Sequence, residues 1–259
     1  KLTGNRVLMY GCGIGPVSGE GCRKSAARVI DRNVDAITLR EDLSAEELKT
    51  MGVTKPKVYV TADPALLLEA GSEGAVDGFL LGNNIDPAGR YALFVLREWQ
   101  GFEAKKQAFV QSAKYVKDAY GLTPIFFALE PGRDLPPSRE VARELPFECP
   151  MLSAPADEKL IIGMMKKMQV VVSMRLHALI FASSVAAPLV AVSYDPKVTG
   201  FMHYIGQKHC VYFEDVTAEN LCALIDGALT ERSEYSVDRL RALAAQNEEI
   251  AKELLEEPI

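Results

Sequence analysis

Apolar residues between positions 170 and 206 come in two short unbroken runs, each followed by a stretch of helical period. Val170, Val171 and Val172 form a β-branched run suited to a strand covered on both faces. Ser173 is placed to cap the next helix. Leu176, Leu179, Ile180 and Val185 then recur at helical spacing, Pro188 ends that helix, and residues 189–192 are apolar again before a second helix entry. Strand, helix and strand in this order make a βαβ unit with parallel strands. The same alternation runs along the chain. Strands are predicted at 5–11, 35–40, 58–62, 91–96, 123–129, 149–153 and 210–213, and helices at 21–33, 103–120, 138–145, 157–168, 217–229 and 235–255. Ser44 with Glu47 reads as a capping box for a short helix ending at Gly52. Asp63 and Pro64 read as the cap and first residue of another. Residues 130–132 read as loop. Residues 73–89, rich in Gly, Asn, Asp and Pro, read as a linker between an N-terminal part (1–72) and a C-terminal Rossmann-like domain (90–230), followed by a C-terminal helix (231–259).

The polar residues inside this apolar frame sit at strand ends. Arg175 and His177 fall where one strand gives way to its helix, and Asp195 and Lys197 fall at the next such junction. In open parallel sheets the carboxyl ends of the strands form the ligand crevice, and helix N-termini there favour anions. Arg175 and His177 are two apart, a spacing that shares a face in extended chain and not on a helix. Both therefore point into a crevice only if the helix begins after Arg175, as the spacing predicts. A lone His on an apolar helix is more often a core residue, but Arg, His and Lys at adjacent strand ends shift the balance toward a site. Asp195 orients Lys197 or serves the turn before Pro196. Arg40 and Arg97 also end strands, and either can contact an anion; pairing of Arg40 with Glu41 or Asp42 explains it equally well. Gly11, Gly13 and Gly15 follow the first strand and allow backbone amides to approach an anion, with Gly13 central; a tight βα connection accounts for them equally. Trp99 either stacks on a sugar or closes the edge of the core.

Composition bounds these readings. The chain has 259 residues, 48% of them hydrophobic, enough for one large or two small domains. A net charge of −6 argues against a nucleic-acid partner, though local cationic clusters still decide whether an anion binds. Five cysteines without a CxxC pair fit reduced thiols in the cytoplasm better than a disulfide frame, and no metal-ligand cluster is visible, so no metal is expected. No run is long enough to span a bilayer, so any membrane link is peripheral. Helix 21–33 carries Arg23, Lys24, Arg28 and Arg32, a solvated face or one that meets lipid phosphate.

The segments SMRLHALIFA and VAVSYDPKVTGF, with GCGIGPVSG, DAITLRED and VYVTADPA, resemble the polysaccharide pyruvyltransferase family, the CsaB-like enzymes of bacterial cell-wall polymers. The resemblance implies an α/β, GT-B-like pair of Rossmann-like domains with parallel sheets, the N-terminal one incomplete here. It implies transfer of pyruvate from phosphoenolpyruvate onto a sugar, N-acetylmannosamine, of a lipid-linked secondary cell wall polymer precursor, with a 4,6-ketal and phosphate as products, in support of S-layer anchoring. Phosphoenolpyruvate is then the donor substrate, no cofactor is required, and the enzyme works in the cytoplasm at the inner face of the membrane. His177 becomes the proton donor and Arg175 its partner at the phosphate, with Lys197, Asp195, Arg40, Arg97 and Gly13 on the substrate. Two other classes stay open: a nucleotide-sugar glycosyltransferase of similar fold, and a non-catalytic glycan-binding module.

Overall fold

The computed structural model describes residues 5–155, 157–231 and 235–256. These fall into two compact units, one within residues 1–67 and 238–259, the other within 68–237.

The smaller unit begins with β1 (Leu8–Cys12), α1 (Glu20–Asn33), β2 (Ala36–Leu39), α2 (Asp42–Met51) and β3 (Lys57–Val60). Its three strands are parallel in the order β1-β2-β3. Ile37 and Leu39 from β2 and Leu48 from α2 are buried together with Val34. Gly52 ends α2 in the left-handed conformation that glycine tolerates best. The expected capping box of α2 does not form. The helix starts earlier, with Glu41 as N-cap, so Ser44 lies inside the first turn and donates to the Glu41 carboxylate, while Glu47 accepts from the Val17 N–H and pairs with Arg23. Asp63 caps only a 3₁₀ turn, Pro64–Leu67, accepting from the Ala65 N–H at 3.0 Å.

The larger unit runs through α3 (Glu73–Gly82), β4 (Tyr91–Val95), α4 (Phe102–Tyr120), β5 (Thr123–Ala128), α5 (Pro131–Arg143), β6 (Met151–Ser153), α6 (Glu158–Lys166), β7 (Val170–Ser173), α7 (Leu176–Ser184), β8 (Leu189–Ser193), α8 (Pro196–Tyr204), β9 (Cys210–Tyr212) and α9 (Ala218–Thr230). All six strands are parallel, in the order β6-β5-β4-β7-β8-β9. Counted from β4 this is 3-2-1-4-5-6, the doubly wound order in which direction reverses between the first and fourth strands, here β4 and β7. Its strands are apolar on both faces. Phe94, Phe126, Val172 and Val190 share one core with Phe109 of α4 and Leu221 and Ile225 of α9. Helix α7 is buried almost all round, with Leu176 and residues 178–184 inside and His177 alone of its residues exposed. A helix buried on every side belongs in an interior, which makes that one exposed residue informative.

Two stretches differ from expectation. Residues 73–89 were expected to be a linker, yet the first ten of them form helix α3, capped by Ser72 and packed within the larger unit. Val76 and Leu80 are its buried residues, and Gly163 of α6 lies so near that a Cβ there would stand 2.5 Å from Val76 Cγ2. A short helix with two core residues leaves too little periodicity to stand out among glycines. Helix α5 begins at Pro131 and includes Pro136 and Pro137, where the sequence suggested a loop and a later start. Proline has no N–H for the carbonyl four residues back. The Arg133 carbonyl, so released by Pro137, accepts the Glu98 N–H at 2.8 Å, which ties the segment after β4 to α5.

The last helix, α10 (Val237–Glu256), belongs with the smaller unit from Asp238 onward. Its Asn247 is fully buried, accepts from the Thr61 hydroxyl at 2.9 Å and donates to the Ala62 carbonyl at 2.9 Å. Among the described residues, no helix is long and apolar enough to cross a membrane. Asn247→Ala takes the Asn247 amide from the Ala62 carbonyl and leaves the Thr61 hydroxyl its bond to the Leu39 carbonyl. It is expected to lower stability by about 1–3 kcal/mol, the cost of one unpaired buried polar group; urea denaturation of the variant beside wild type measures it.

Candidate functional site

The carboxyl ends of β4, β5, β7 and β8 carry a cluster of polar side chains. At β7 the chain leaves the sheet at Ser173, bends at Met174, passes Arg175 in extended conformation, and enters α7 at Leu176. Ser173 is not the N-cap. Its hydroxyl accepts the Arg175 N–H at 2.8 Å and donates to the Arg175 carbonyl at 3.0 Å, fixing the residue that is the N-cap. Met174 N donates to Val95 O at 2.9 Å, so this turn is registered on the end of β4. The helix therefore begins just after Arg175, and His177 stands exposed at its second position, its ring 6.3 Å from that of Phe181.

Arg175 is already engaged. Its Nε donates to Asp134 Oδ1 at 2.9 Å and its Nη2 to Glu130 Oε2 at 2.9 Å, with a second bond from Nη2 to Asp134. The Asp134 side chain is 0% exposed and that of Arg175 only 12%. The other Asp134 oxygen accepts the Glu130 N–H at 2.8 Å. Burial by itself would lower the Arg175 pKa, but the hydrogen bonds and charge of Asp134, and then those of Glu130, outweigh it and raise the value. Glu130 is pulled below the usual carboxylate range, first by its hydrogen bond from Arg175 and then by the charges of Arg175, Arg133 and Arg97.

The next junction repeats the design. β8 ends at Ser193, whose hydroxyl donates to the Asp195 carbonyl at 3.1 Å. Asp195 caps α8 by accepting the Lys197 N–H at 3.0 Å, and Pro196 fills the first helical position. Lys197 occupies the second, as His177 does in α7, and its Nζ lies 3.3 Å from Asp195 Oδ2. Between Ser193 and Asp195 comes Tyr194. Its ring lies 4.5 Å from that of Trp99, and Arg97 and Lys197 stand over it at 5.2 and 6.0 Å from its centroid. Arg97 follows β4. Its Nε is buried and has no hydrogen-bond partner among the described residues. Trp99 is 38% exposed, so it does not close the core.

Arg40 and Gly13 belong to the smaller unit. Arg40 ends β2 and pairs with Glu41 at 3.1 Å and Asp63 at 3.3 Å. Gly13 lies against it: a Cβ at that position would stand 2.8 Å from Arg40 Nη2. Near the end of β1 and in the loop after it, the Gly11, Ile14 and Val17 N–H groups are taken by Thr38, Ser44 and Glu47 side chains. These amides serve a tight βα connection.

The family model for polysaccharide pyruvyl transferases matches residues 1–196, through the β7 and β8 turns. The chain belongs to that family. No curated protein sequence matches this one. Solved structures are similar in fold. HepE of Anabaena, in complex with UDP and glucose, is 14% identical with a TM-score of 0.63, covering 97% of this chain and 72% of that one. A UDP-GlcNAc 2-epimerase from Methanocaldococcus jannaschii is 12% identical with a TM-score of 0.67, covering 97% and 70%. A glycosyltransferase from Rickettsia africae is 11% identical with a TM-score of 0.54, covering 95% and 70%. The chain thus has a GT-B-like fold with two parallel sheets.

Of the residues singled out in the sequence, Arg97, Arg175, His177, Asp195 and Lys197 lie at the carboxyl end of the sheet of the larger unit. Asp134, Glu130 and Tyr194 were missed. Glu130 and Asp134 are four apart, a spacing that puts two carboxylates on one helix face once α5 is known to start at Pro131. Among the described residues, no three His, Cys, Asp or Glu side chains are grouped to hold a metal ion.

Asp134→Ala leaves the largely buried Arg175 guanidinium with Glu130 alone. A broken buried pair costs about 3–5 kcal/mol. The remaining Glu130 contact puts this loss near the lower end, about 3 kcal/mol, in chemical denaturation. Because the folded Glu130 pKa is lowered, its contribution is full above the ordinary glutamate value of 4.5 and is lost as pH falls through the folded value. Unfolding followed from pH 6 to about pH 3 is expected to show this loss, and Glu130→Gln to flatten it.

Proposed function

We propose that this transferase moves the pyruvyl group of phosphoenolpyruvate onto N-acetylmannosamine in a lipid-linked cell-wall polysaccharide precursor, forming a 4,6-ketal and releasing phosphate. The observation that carries this reading is the exposed imidazole of His177. It follows the strand lying between those followed by Arg97 and Lys197, both of which share the Tyr194 ring.

Phosphoenolpyruvate brings roughly three negative charges, from a carboxylate and a phosphate. Arg97 and Lys197 supply cationic heads. The N-termini of α7 and α8 add partial positive charge on the same rim. Arg175 is spoken for by two carboxylates, so its part is to hold the β7–α7 turn. His177 as an acid protonates the methylene carbon, which becomes the methyl group, and positive charge develops at C2. One sugar hydroxyl adds to C2 and returns its proton to His177. The C2–O bond to phosphate breaks, the second hydroxyl closes the ketal, and its proton leaves with phosphate. Lys197 and Arg97 stabilise the growing charge on the departing phosphate. The products are the ketal and inorganic phosphate, with no oxidant or reductant consumed.

A place in the cytoplasm beside the membrane suits a lipid-linked acceptor. Helix α1 offers Arg28 and Arg32 with the exposed Val29 to an anionic lipid surface.

Incubation with phosphoenolpyruvate and an acceptor containing N-acetylmannosamine is expected to give inorganic phosphate and a product heavier by one pyruvyl group. Nucleotide release from a UDP-sugar, with phosphoenolpyruvate untouched, would overturn the reading in favour of glycosyl transfer. His177→Ala is expected to lower kcat by about 10²–10⁴. Its denaturation midpoint should match wild type, because the ring is exposed. Full activity in that variant removes His177 from the acid role.

A further inference from the structure

We infer that Trp99 and the cavity beside it form the subsite for a pyranose ring of the acceptor. The inference rests on the proposed pyruvyl transfer. A cavity of about 350 Å³ is lined by Arg97, Glu98, Trp99, Gln100 and Arg133. That volume lies at the lower end of small-molecule sites, about 300–1,000 Å³. It adjoins the end of β4, one of the two strands between which the sheet order reverses.

The lining has the chemistry of a sugar site. Trp99 is the single tryptophan of the chain, and its indole is partly exposed while Tyr194 backs it at 4.5 Å, tilted by 44°. A large aromatic surface left open at the rim, and held rigid from behind, suits the C–H face of a pyranose. Glu98 and Gln100 are exposed beside it and provide acceptors and donors for ring hydroxyls. Arg97 has a buried Nε without a partner among the described residues, an arrangement that costs free energy unless a ligand oxygen or ordered water satisfies it. Backbone geometry holds the wall in place. The Glu98 N–H is bonded to the Arg133 carbonyl that Pro137 leaves open, and Phe102 N donates to Trp99 O at 3.0 Å. The loop is thus fixed at both ends, and its aromatic face is presented without the entropy cost of ordering it on binding. The same Tyr194 ring carries Arg97 and Lys197, so sugar and donor are brought to one aromatic pair.

A sole tryptophan makes the test direct. The methyl glycosides of N-acetylmannosamine, N-acetylglucosamine and glucose are titrated into the full chain while the emission of Trp99 is followed. A saturable change with at least one of them is expected. Trp99→Ala should weaken that sugar by about tenfold in calorimetry, with Trp99→Phe recovering part of the loss. In turnover, Trp99→Ala should raise the KM for the acceptor and leave that for phosphoenolpyruvate unchanged. No saturable change with any of the three glycosides, or an unchanged acceptor KM in Trp99→Ala, overturns the subsite. His177→Ala should bind the sugar as wild type does while losing turnover. Sugar binding at Trp99 in a wild-type protein that never consumes phosphoenolpyruvate would sink the transferase reading and leave the subsite standing.

Discussion

The ion pair between Arg175 and the buried Asp134 is the constraint on which the functional edge depends. Asp134 has no exposed side-chain surface, and a carboxylate in that position is stable only when paired and hydrogen-bonded. Arg175 meets both needs from the far side of β4, because β5 leads into α5 and β7 leads into α7. The pair therefore bridges across the point where the sheet reverses its order. It anchors the side chain of the residue that the Ser173 hydroxyl fixes as the N-cap of α7. An arginine whose charge is answered by two carboxylates has little left for a substrate anion. Its value to a transferase lies in rigidity, since a catalytic group displaced by a fraction of an ångström loses much of its effect.

Two successive junctions are built to one plan. Each strand ends on a serine whose hydroxyl donates to the carbonyl two residues on, and that residue is the N-cap of the next helix. The second helical position then carries His177 in one case and Lys197 in the other. The shared device gives both side chains a defined exit from a helix N-terminus, where the backbone itself favours negative charge. The caps differ, and the difference suits the roles. Asp195 places a carboxylate 3.3 Å from the Lys197 ammonium and orients it. Next to His177 the cap is Arg175, already neutralised by its own partners.

Much of the larger unit was legible because its strands are buried on both faces and read as unbroken β-branched or aromatic runs. The start of α7 after Arg175 followed from spacing alone, and the gathering of Arg97, Arg175, His177 and Lys197 followed from a rule about strand ends. The features that stayed hidden depended on contacts distant in sequence. Asp134 lies 41 positions from Arg175, and nothing local to either marks the pair. Helix α5 was obscured by its own prolines, whose cost is met by a bond from Glu98 that no local pattern announces. Ser44 and Glu47 matched a capping box and serve instead the loop after β1. Such motifs record local compatibility, and tertiary partners decide among the compatible uses.

For the proposed transfer, an acidic chain must place its charges so that a trianionic donor can approach. Three of the four carboxylates nearest the functional edge are paired, and Glu98 beside Arg97 is exposed. Asp134 and Glu130 face Arg175, and Asp195 faces Lys197. The three paired carboxylates match Arg97, Arg175 and Lys197 in number, so placement decides, and what the rim presents beyond the Arg175 pairs is Arg97, the Lys197 head and the two helix N-termini. These depend on one tyrosine ring and two serine-bracketed turns for their position. Ring quadrupole and helix termini act at short range, while the net charge of −6 is spread over the whole surface and screened within about 8–10 Å by salt. Local geometry therefore outweighs global charge at this edge, and the fold supplies that geometry through the reversal of strand order between β4 and β7.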